Sequence, residues 1–386
     1  MSEFNIVFAA DSNYLPYTFV AVQSIIDHAD IAHNSSDSKD VFVFNILVDD
    51  SVNIKDLESR CDAFSARNHA AAVDSQFKIL HVDKELFKDF PQFNSSGSYS
   101  TYYRMVIDEI FDETVKKVLY LDVDMLILAD VRELFNSVDL TNHIYAAALD
   151  SYLFSSSDKY HLIKKSGSGG KDKKLALSSY VNAGMLLISL DNWRAANIRQ
   201  KCIECMHTIK VKYHDQDVLN YLVEAPVFVS TAWNMQTSYL GCITVSNGRI
   251  INMHTKKTVD ESLYPDSLPV PLAQCIENPR IVHFVSHKPW VKPYQINYGD
   301  TPPVFTHEHF KWVNQWFDTA ERVPEFAEAL SGLRFDHLIC ANTNIQSLNQ
   351  RLIIESNKRR SLRNQMIALN LSTFFIMLVL LILFAD

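Results

Sequence analysis

The sequence predicts an α/β fold: a single Rossmann-like domain on a mostly parallel central sheet, followed by a helical C-terminal extension and an apolar tail. Three observations lead there. Apolar runs of strand length alternate with stretches of helix length, the pattern of βα units. The first runs are almost continuously apolar, as expected of strands covered on both faces. The chain has 386 residues, 47% hydrophobic and 21% charged, enough for one large domain and an appendage.

The elements follow in order. Phe4 to Ala9 (FNIVFA) reads as a buried opening strand, and Tyr14 to His28 as a helix. Val41 to Val48 (VFVFNILV) and Phe77 to Val82 (FKILHV) are the second and third strands. Helical material containing Tyr102 to Ile110 precedes a fourth strand, Val118 to Leu121, which runs into Asp122-Val123-Asp124. Ile144 to Leu149 and Ala183 to Ile188 are further strands, and Asp191 to Lys212 reads as a helix with Asp191 as N-cap. Ser155 to Ser179 holds three of the nine glycines and six lysines and reads as a flexible basic loop, either a solvated insertion or a lid over an anionic substrate. Ile281 to Val285 is the last clear strand; after Pro303 the chain is helical and aromatic, and no internal repeat is visible.

Charge is distributed unevenly. The whole chain carries −9, but Arg351 to Asp386 holds five basic and two acidic residues, leaving −12 on the first 350. An acidic body excludes a non-specific nucleic-acid binder. Met366 to Ala385 (MIALNLSTFFIMLVLLILFA) has no charge and no proline and approaches the ~20 residues that span a bilayer. With basic residues before it, it is expected to associate with an anionic membrane surface, as a tail anchor or an interfacial helix, rather than to be buried in the fold. The N-terminus has neither a basic nor a long apolar stretch and does not read as a secretory signal. The body is therefore expected in a reducing cytoplasm, on the inner membrane's cytoplasmic face, with its six cysteines free. Cys202 and Cys205 form a lone CxxC without the further ligands a structural zinc needs, and read as packing.

Chemistry concentrates in two segments. Asp122 and Asp124 end an apolar strand, and side chains two apart on a strand share a side. Carboxylates held there repel each other unless a cation lies between them, and Mg²⁺ or Mn²⁺ are the hard cations that bridge to phosphates. A lone DxD is common on loops; this one follows a buried strand, where an unpaired charge is costly. His283 lies in the apolar strand IVHFV, where histidine is more often a satisfied core residue; here Ser286, His287, Lys288, Pro289 and Trp290 follow at once, placing an imidazole, a lysine and an aromatic wall together. The chain contains no GxGxxG, GxxxxGK[ST], GxSxG or HExxH, so dinucleotide, P-loop, serine-hydrolase and zincin readings lose their main support.

Together, FAADSNY (Phe8 to Tyr14), STYYRM (Ser100 to Met105), YLDVDML, ALDSY around Asp150, VNAGMLLISLDNW (Val181 to Trp193), HDQDVLN (His214 to Asn220) and HFVSHKPW resemble family 8 glycosyltransferases, most nearly the bacterial galactosyl- and glucosyltransferases of lipopolysaccharide and lipooligosaccharide synthesis. The resemblance implies a GT-A domain over residues 1–300, with a nucleotide-sugar half (1–127) and an acceptor half (128–300), then a helical extension (301–365) and the tail (366–385). It implies nucleotide contacts from Ala9, Ala10, Asp11, Asn13, Tyr14 and Val123. Arg104 matches a basic residue near the donor, and Asp122, Asp124 and His283 match ligands for Mn²⁺ or Mg²⁺. Asn182 and Ala183 match donor-sugar contacts, Asp150 an acceptor-side carboxylate, Asp215 and Gln216 the pair below the sugar ring, and Lys288 a diphosphate lysine. Taken one at a time, Asn182 and Tyr14 also fit simple capping or packing, and Asp217 fits a structural role. The last motif departs from the family's His-x-x-Gly-x-x-Lys-Pro-Trp: it lacks the glycine and is one residue shorter, which brings His287 in as a candidate beside Lys288.

The implied reaction moves glucose or galactose from its UDP donor to a hydroxyl of a lipid-linked glycan, with retention and an α-linkage. O-antigen, capsule or protein acceptors are the runner-up within the class. From other classes, a catalytically silent sugar-nucleotide binder and a paired-carboxylate hydrolase are the alternatives; glycosidases have no need of a metal-type DxD.

Overall fold

The computed structural model describes residues 2–34, 38–92, 98–151, 158–166, 172–246, 249–252, 258, 272–285, 288–291 and 307–383. The chain divides into two units, Met1–Pro289 with Asp300–Ser331, and Trp290–Gly299 with Gly332–Asp386.

The first unit is built on β1 (Glu3–Ala9), β2 (Val41–Val48), β3 (Asp74–His81), β4 (Lys117–Leu121), β5 (Met125–Ile127), β6 (Tyr145–Ala147), β7 (Tyr160–Lys165), β8 (Lys173–Ala176), β9 (Met185–Ser189), β10 (Ile209–Lys210), β11 (Val227–Phe228), β12 (Met235–Gln236), β13 (Ile243–Ser246), β14 (Arg249–Asn252) and β15 (Ile281–His283). Seven strands form the central sheet in the order β11-β6-β9-β4-β1-β2-β3. Pairing is parallel except on both sides of β9, which runs against its neighbours β4 and β6. Every residue of β2 is buried, which is why its sequence shows no alternation.

This order positions the site. The chain leaves β1 toward β2 and β3, then returns to place β4 on β1's other side, so a crevice opens where the direction of winding reverses. Ala9 ends β1 there and Asp122 follows β4. Because β9 is antiparallel, its start, after Asn182-Ala183-Gly184, reaches the same edge. A second sheet, β12-β15-β5, pairs β15 antiparallel to β5 and puts His283 opposite Met125; the Phe284 amide donates to the Asp124 carbonyl at 2.9 Å.

Helix α1 (Leu15–Asp27) and helix α2 (Ile54–Arg67) cover one face, where Phe19 stacks on Phe77 at 5.6 Å between centroids. Tyr102, Tyr103, Leu186 and Trp193 belong to the core cluster that includes Tyr120 and Tyr145. Three expectations are corrected. The helix drawn from Asp191 to Lys212 is two helices, Leu190–Ala195 and α3 (Ile198–Thr208), broken at Asn197, which adopts a left-handed backbone (φ 53°, ψ 43°) that no helix interior tolerates. The N-cap is Ser189, extended at φ −84° and ψ 107°, whose hydroxyl accepts from the Asn192 amide; Asp191 lies in the first turn and pairs with Lys116. The described parts of the basic loop form a β7–β8 hairpin that β10 extends, with Ile163 and Leu175 buried, so the segment is anchored by alternate apolar residues. The first unit also continues past residue 300, the boundary read from sequence. Helix α5 (His307–Ala320) packs on α1 with Trp316 fully buried and its ring 6.2 Å from Tyr17's; α4 (His214–Leu222) lies on the site side.

The second unit is dominated by α6 (Leu333–Leu383), one helix that contains both the basic segment and most of the apolar tail. Leu352, Ile353, Leu362, Met366, Leu369 and Leu371 are exposed on it. No helix among the described residues is long and apolar enough to cross a membrane, so the tail-anchor expectation gains no support.

A buried charge cluster tests the frame. Arg132 is 0% exposed and pairs with Asp130 at 2.6 Å and Asp40 at 3.2 Å. Removing it would strand two buried carboxylates, so Arg132→Ala should lower unfolding free energy in urea by about 3–5 kcal/mol; a loss below ~1 kcal/mol would show the cluster is open to water.

Candidate active site

Two carboxylates and an imidazole converge where the two sheets meet. Ligand-type atoms of Asp122, Asp124 and His283 all lie within 4.8 Å of one another. His283 Nε2 is 3.2 Å from Asp124 Oδ1 and 3.8 Å from Asp122 Oδ2, and the ring is 4% exposed. The β5–β15 register brings His283 to the DxD, as the pairing with Met125 requires. The donor set of hard oxygens and one imidazole suits Mn²⁺ or Mg²⁺. Gly184 supports this fit: a Cβ there would lie 2.8 Å from Asp122 Oδ2 and 2.9 Å from His283 Nδ1, so the backbone passes against the ligands where any side chain would displace them. Gly184 lies within the VNAGMLLISLDNW segment, where no neighbouring residue in the sequence marks that contact.

Each DxD carboxylate also meets a protein cation. Arg104, set on the 3-10 helix Ser100–Val106, donates from Nη2 to Asp122 Oδ1 at 2.7 Å, and its Nε is 2.9 Å from Asp215 Oδ2. Its guanidinium lies 4.3 Å from the centre of the Tyr120 ring and also donates to the Ala183 carbonyl. Lys288 pairs with Asp124. Burial alone would raise the Asp124 carboxyl, but Lys288 and His283 hold it well below the usual carboxylate range. Burial would likewise depress the Lys288 ammonium, and Asp124 outweighs it, so the lysine stays protonated. Asp215 is 4% exposed; burial pushes its carboxyl up, against Arg104 and the Thr101 hydroxyl, which donates to it at 2.5 Å.

A chain of amides runs beside the carboxylates. Asp150 Oδ2 accepts from Asn182 Nδ2 at 2.9 Å and from Gln216 Nε2 at 3.1 Å. Gln216 Oε1 accepts from the Ala183 amide at 3.1 Å, so both ends of its side chain are held. Gln216 stands on the first turn of α4, which begins at His214 in a left-handed conformation (φ 45°). That turn is tied by Asp217, which accepts from His161, Tyr180 and the Lys212 and Tyr213 amides. Burial would raise the Asp217 carboxyl, and those donors hold it down; its role is structural, as its sequence context suggests.

Two adjoining cavities contain these groups. One of about 390 Å³ is lined by Asp122, Asp124, Asp150, Asn182, Ala183, Asp215, Gln216, His283 and Lys288. The other, about 140 Å³, is lined by Ala9, Tyr14, Arg104, Tyr120, Val123 and Lys288 among others. Asp11 instead accepts from the amides of Asn13 and Tyr14 at 2.9 and 3.2 Å, shaping the turn that presents Tyr14. Ala10 is buried at the end of β1, and its amide donates to the Leu47 carbonyl. Neither cavity is lined by Ala10, Asp11 or Asn13. His287 lies outside the described residues. Cys202 and Cys205 are buried free thiols.

The sequence profile of glycosyl transferase family 8 matches residues 5–293. The chain belongs to glycosyl transferase family 8. A Salmonella typhimurium lipopolysaccharide 1,3-galactosyltransferase is 28% identical over 243 residues, 61% of this chain and 64% of that protein. An Escherichia coli lipopolysaccharide 1,2-glucosyltransferase is 25% identical over 225 residues, 57% of this chain and 58% of that one. The matches thus span less than two thirds of either relative. The crystal structure of galactosyltransferase LgtC in complex with donor and acceptor sugar analogues has a TM-score of 0.54 at 20% identity, covering 85% of this chain and 100% of that one. That likeness establishes the GT-A fold.

The Gly184 contact gives a direct test of the cation site. Gly184→Ala should weaken Mn²⁺ binding, followed by electron paramagnetic resonance, by about tenfold or more. Unchanged affinity in a folded variant would show that the ligands do not meet at Gly184.

Proposed function

We propose that this protein is a metal-dependent retaining hexosyltransferase. It moves glucose or galactose from a UDP-sugar to a hydroxyl of a lipid-linked glycan of the lipopolysaccharide-core type, forming an α-linkage. The observation that carries this reading is the meeting of Asp122, Asp124 and His283 with Asp150, Asn182 and Gln216 in one cleft of a family 8 chain. The lipopolysaccharide transferase activities of the Salmonella and Escherichia coli relatives support the acceptor class.

Among the described residues, the larger cavity is lined by four carboxylates, Asp122, Asp124, Asp150 and Asp215, against Arg104, Lys212 and Lys288, a net of −1 with histidines uncounted. Such a cleft repels a nucleoside diphosphate. Asp122, Asp124 and His283 would hold a divalent cation, which would supply the positive charge that the cleft lacks for a diphosphate. Tyr14 and Val123 line the smaller cavity and would pack against the nucleoside, with Ala9 leaving room. Lys288 lines both cavities, which supports a role in which its ammonium exchanges Asp124 for a phosphate oxygen.

In the transfer, the acceptor oxygen bonds to the anomeric carbon on the face from which UDP departs, the bond from that carbon to the phosphate oxygen breaks, and the leaving oxygen takes the hydroxyl proton. Asp215 is held by Arg104 and Thr101, which leaves it ill-suited to act as a nucleophile. Gln216, an amide held at both ends, supplies a fixed dipole beneath the sugar rather than a covalent partner. Asp150 orients the acceptor hydroxyl. The long helix α6, with its basic segment and exposed apolar residues, supports a peripheral position on the anionic cytoplasmic face of the inner membrane.

With Mn²⁺ and UDP-hexose, Gln216→Ala should lower turnover by about two orders of magnitude; near-native turnover would remove Gln216 from the reaction. Deleting Met366 to Asp386 should abolish sedimentation with anionic vesicles while leaving UDP binding unchanged. Lost UDP binding would make the segment part of the catalytic fold.

A further inference from the structure

One fully buried side chain belongs to neither the cation cluster nor the sugar-side amides, yet touches both. Asn234 is 0% exposed and ends the 3-10 turn Thr231–Asn234, just before β12. Its Oδ1 lies 2.9 Å from His283 Nδ1, and its Nδ2 lies 2.9 Å from Asn182 Oδ1. Position is set by pairing: β12 runs parallel to β15 with Gln236 beside His283, and the Thr237 amide donates to the His283 carbonyl.

The direction of these bonds can be deduced. The Gly184 backbone N–H, a donor only, points at one amide atom of Asn182 from 3.0 Å, so that atom is the oxygen. The same oxygen faces Asn234, which must present its NH₂ there and turn its own oxygen to His283. His283 Nδ1 must therefore carry a hydrogen in either protonation state. Nε2 is left as the nitrogen available to a cation, on the side of Asp122 and Asp124.

We propose that Asn234 is a positioning residue that fixes the tautomer and ring orientation of His283 for cation binding, and that it joins the cation site to Asn182 and, through it, to Asp150 and Gln216. This rests on the metal-dependent reading above. Partners of this kind raise metal affinity by holding the ligand in its binding form. The link also gives the cation and the sugar-side residues one shared set of orientations, because rotation of either Asn234 or Asn182 breaks bonds in both.

The test uses the full chain and Mn²⁺ alone, with free Mn²⁺ read by electron paramagnetic resonance. Asn234→Leu, of similar volume but without polar atoms, should weaken binding by about 10–100-fold. Asn234→Asp keeps an acceptor for His283 and should stay within about threefold of the native protein, a rescue that a purely structural role does not predict. Native affinity in Asn234→Leu, or equal losses in both variants, overturns the proposal. Independently of any variant's stability, a long-range ¹H–¹⁵N spectrum of the native protein, with the His283 signal assigned by its loss in His283→Gln, should show hydrogen on Nδ1. Hydrogen on Nε2 alone overturns it. If the native protein binds no Mn²⁺, the metal-dependent reading falls too; if it binds and Asn234→Leu binds equally, only the role of Asn234 falls.

Discussion

Carboxylates gathered in a half-dry cleft repel one another, and most of this site can be understood as the means of holding Asp122 and Asp124 together. The first is met by Arg104, the second by Lys288, and His283 closes the third side. None of these neighbours is close in sequence to the DxD. Arg104 comes from a 3-10 helix, His283 and Lys288 from the end of the second sheet, and the β5–β15 register aligns them. The fold therefore serves as a frame that overcomes local repulsion at one edge of the sheet. Without partners, the same carboxylates would be costly to bury.

The described residues that line the cleft carry a slight negative charge, although the proposed ligand is strongly negative. On the proposed function, a nucleotide would be disfavoured alone and favoured together with a cation, so their binding would be coupled through charge. The amides beside the carboxylates are neutral and rigid. They add orientation without altering the charge balance, which suits a step in which charge develops on a departing phosphate.

Much of this was legible in the sequence, for identifiable reasons. Buried parallel strands announce themselves as unbroken apolar runs, so β1, β2 and β4 were visible, and a charged pair after such a run signals a site. His283 and Lys288, which the structure brings beside the DxD, stood out because chemistry crowded into a short apolar segment. The contacts of Asn234 and Gly184 with His283 were not legible because they join residues far apart in the sequence, and an asparagine in an Asn-rich stretch has no local signature. The break at Asn197 was missed because the apolar spacing continues across it; only the backbone there departs from the helix. The β7–β8 hairpin was hidden by its lysines and glycines, with only Ile163 and Leu175 recording its inward face. Nor could the sequence show that Asp215 is tied to Arg104, a pairing that changes it from a free carboxylate to a held one.

The central claim is that the cleft accepts a nucleoside diphosphate only after a divalent cation has reversed its charge. The measurement that tests it most directly is calorimetric titration of UDP into the full chain, once with Mn²⁺ and once with a chelator. The account predicts saturable binding with Mn²⁺ and a loss of at least about 100-fold in affinity without it. Equal affinity in the two titrations would contradict it, because the carboxylates and protein cations would then be sufficient by themselves.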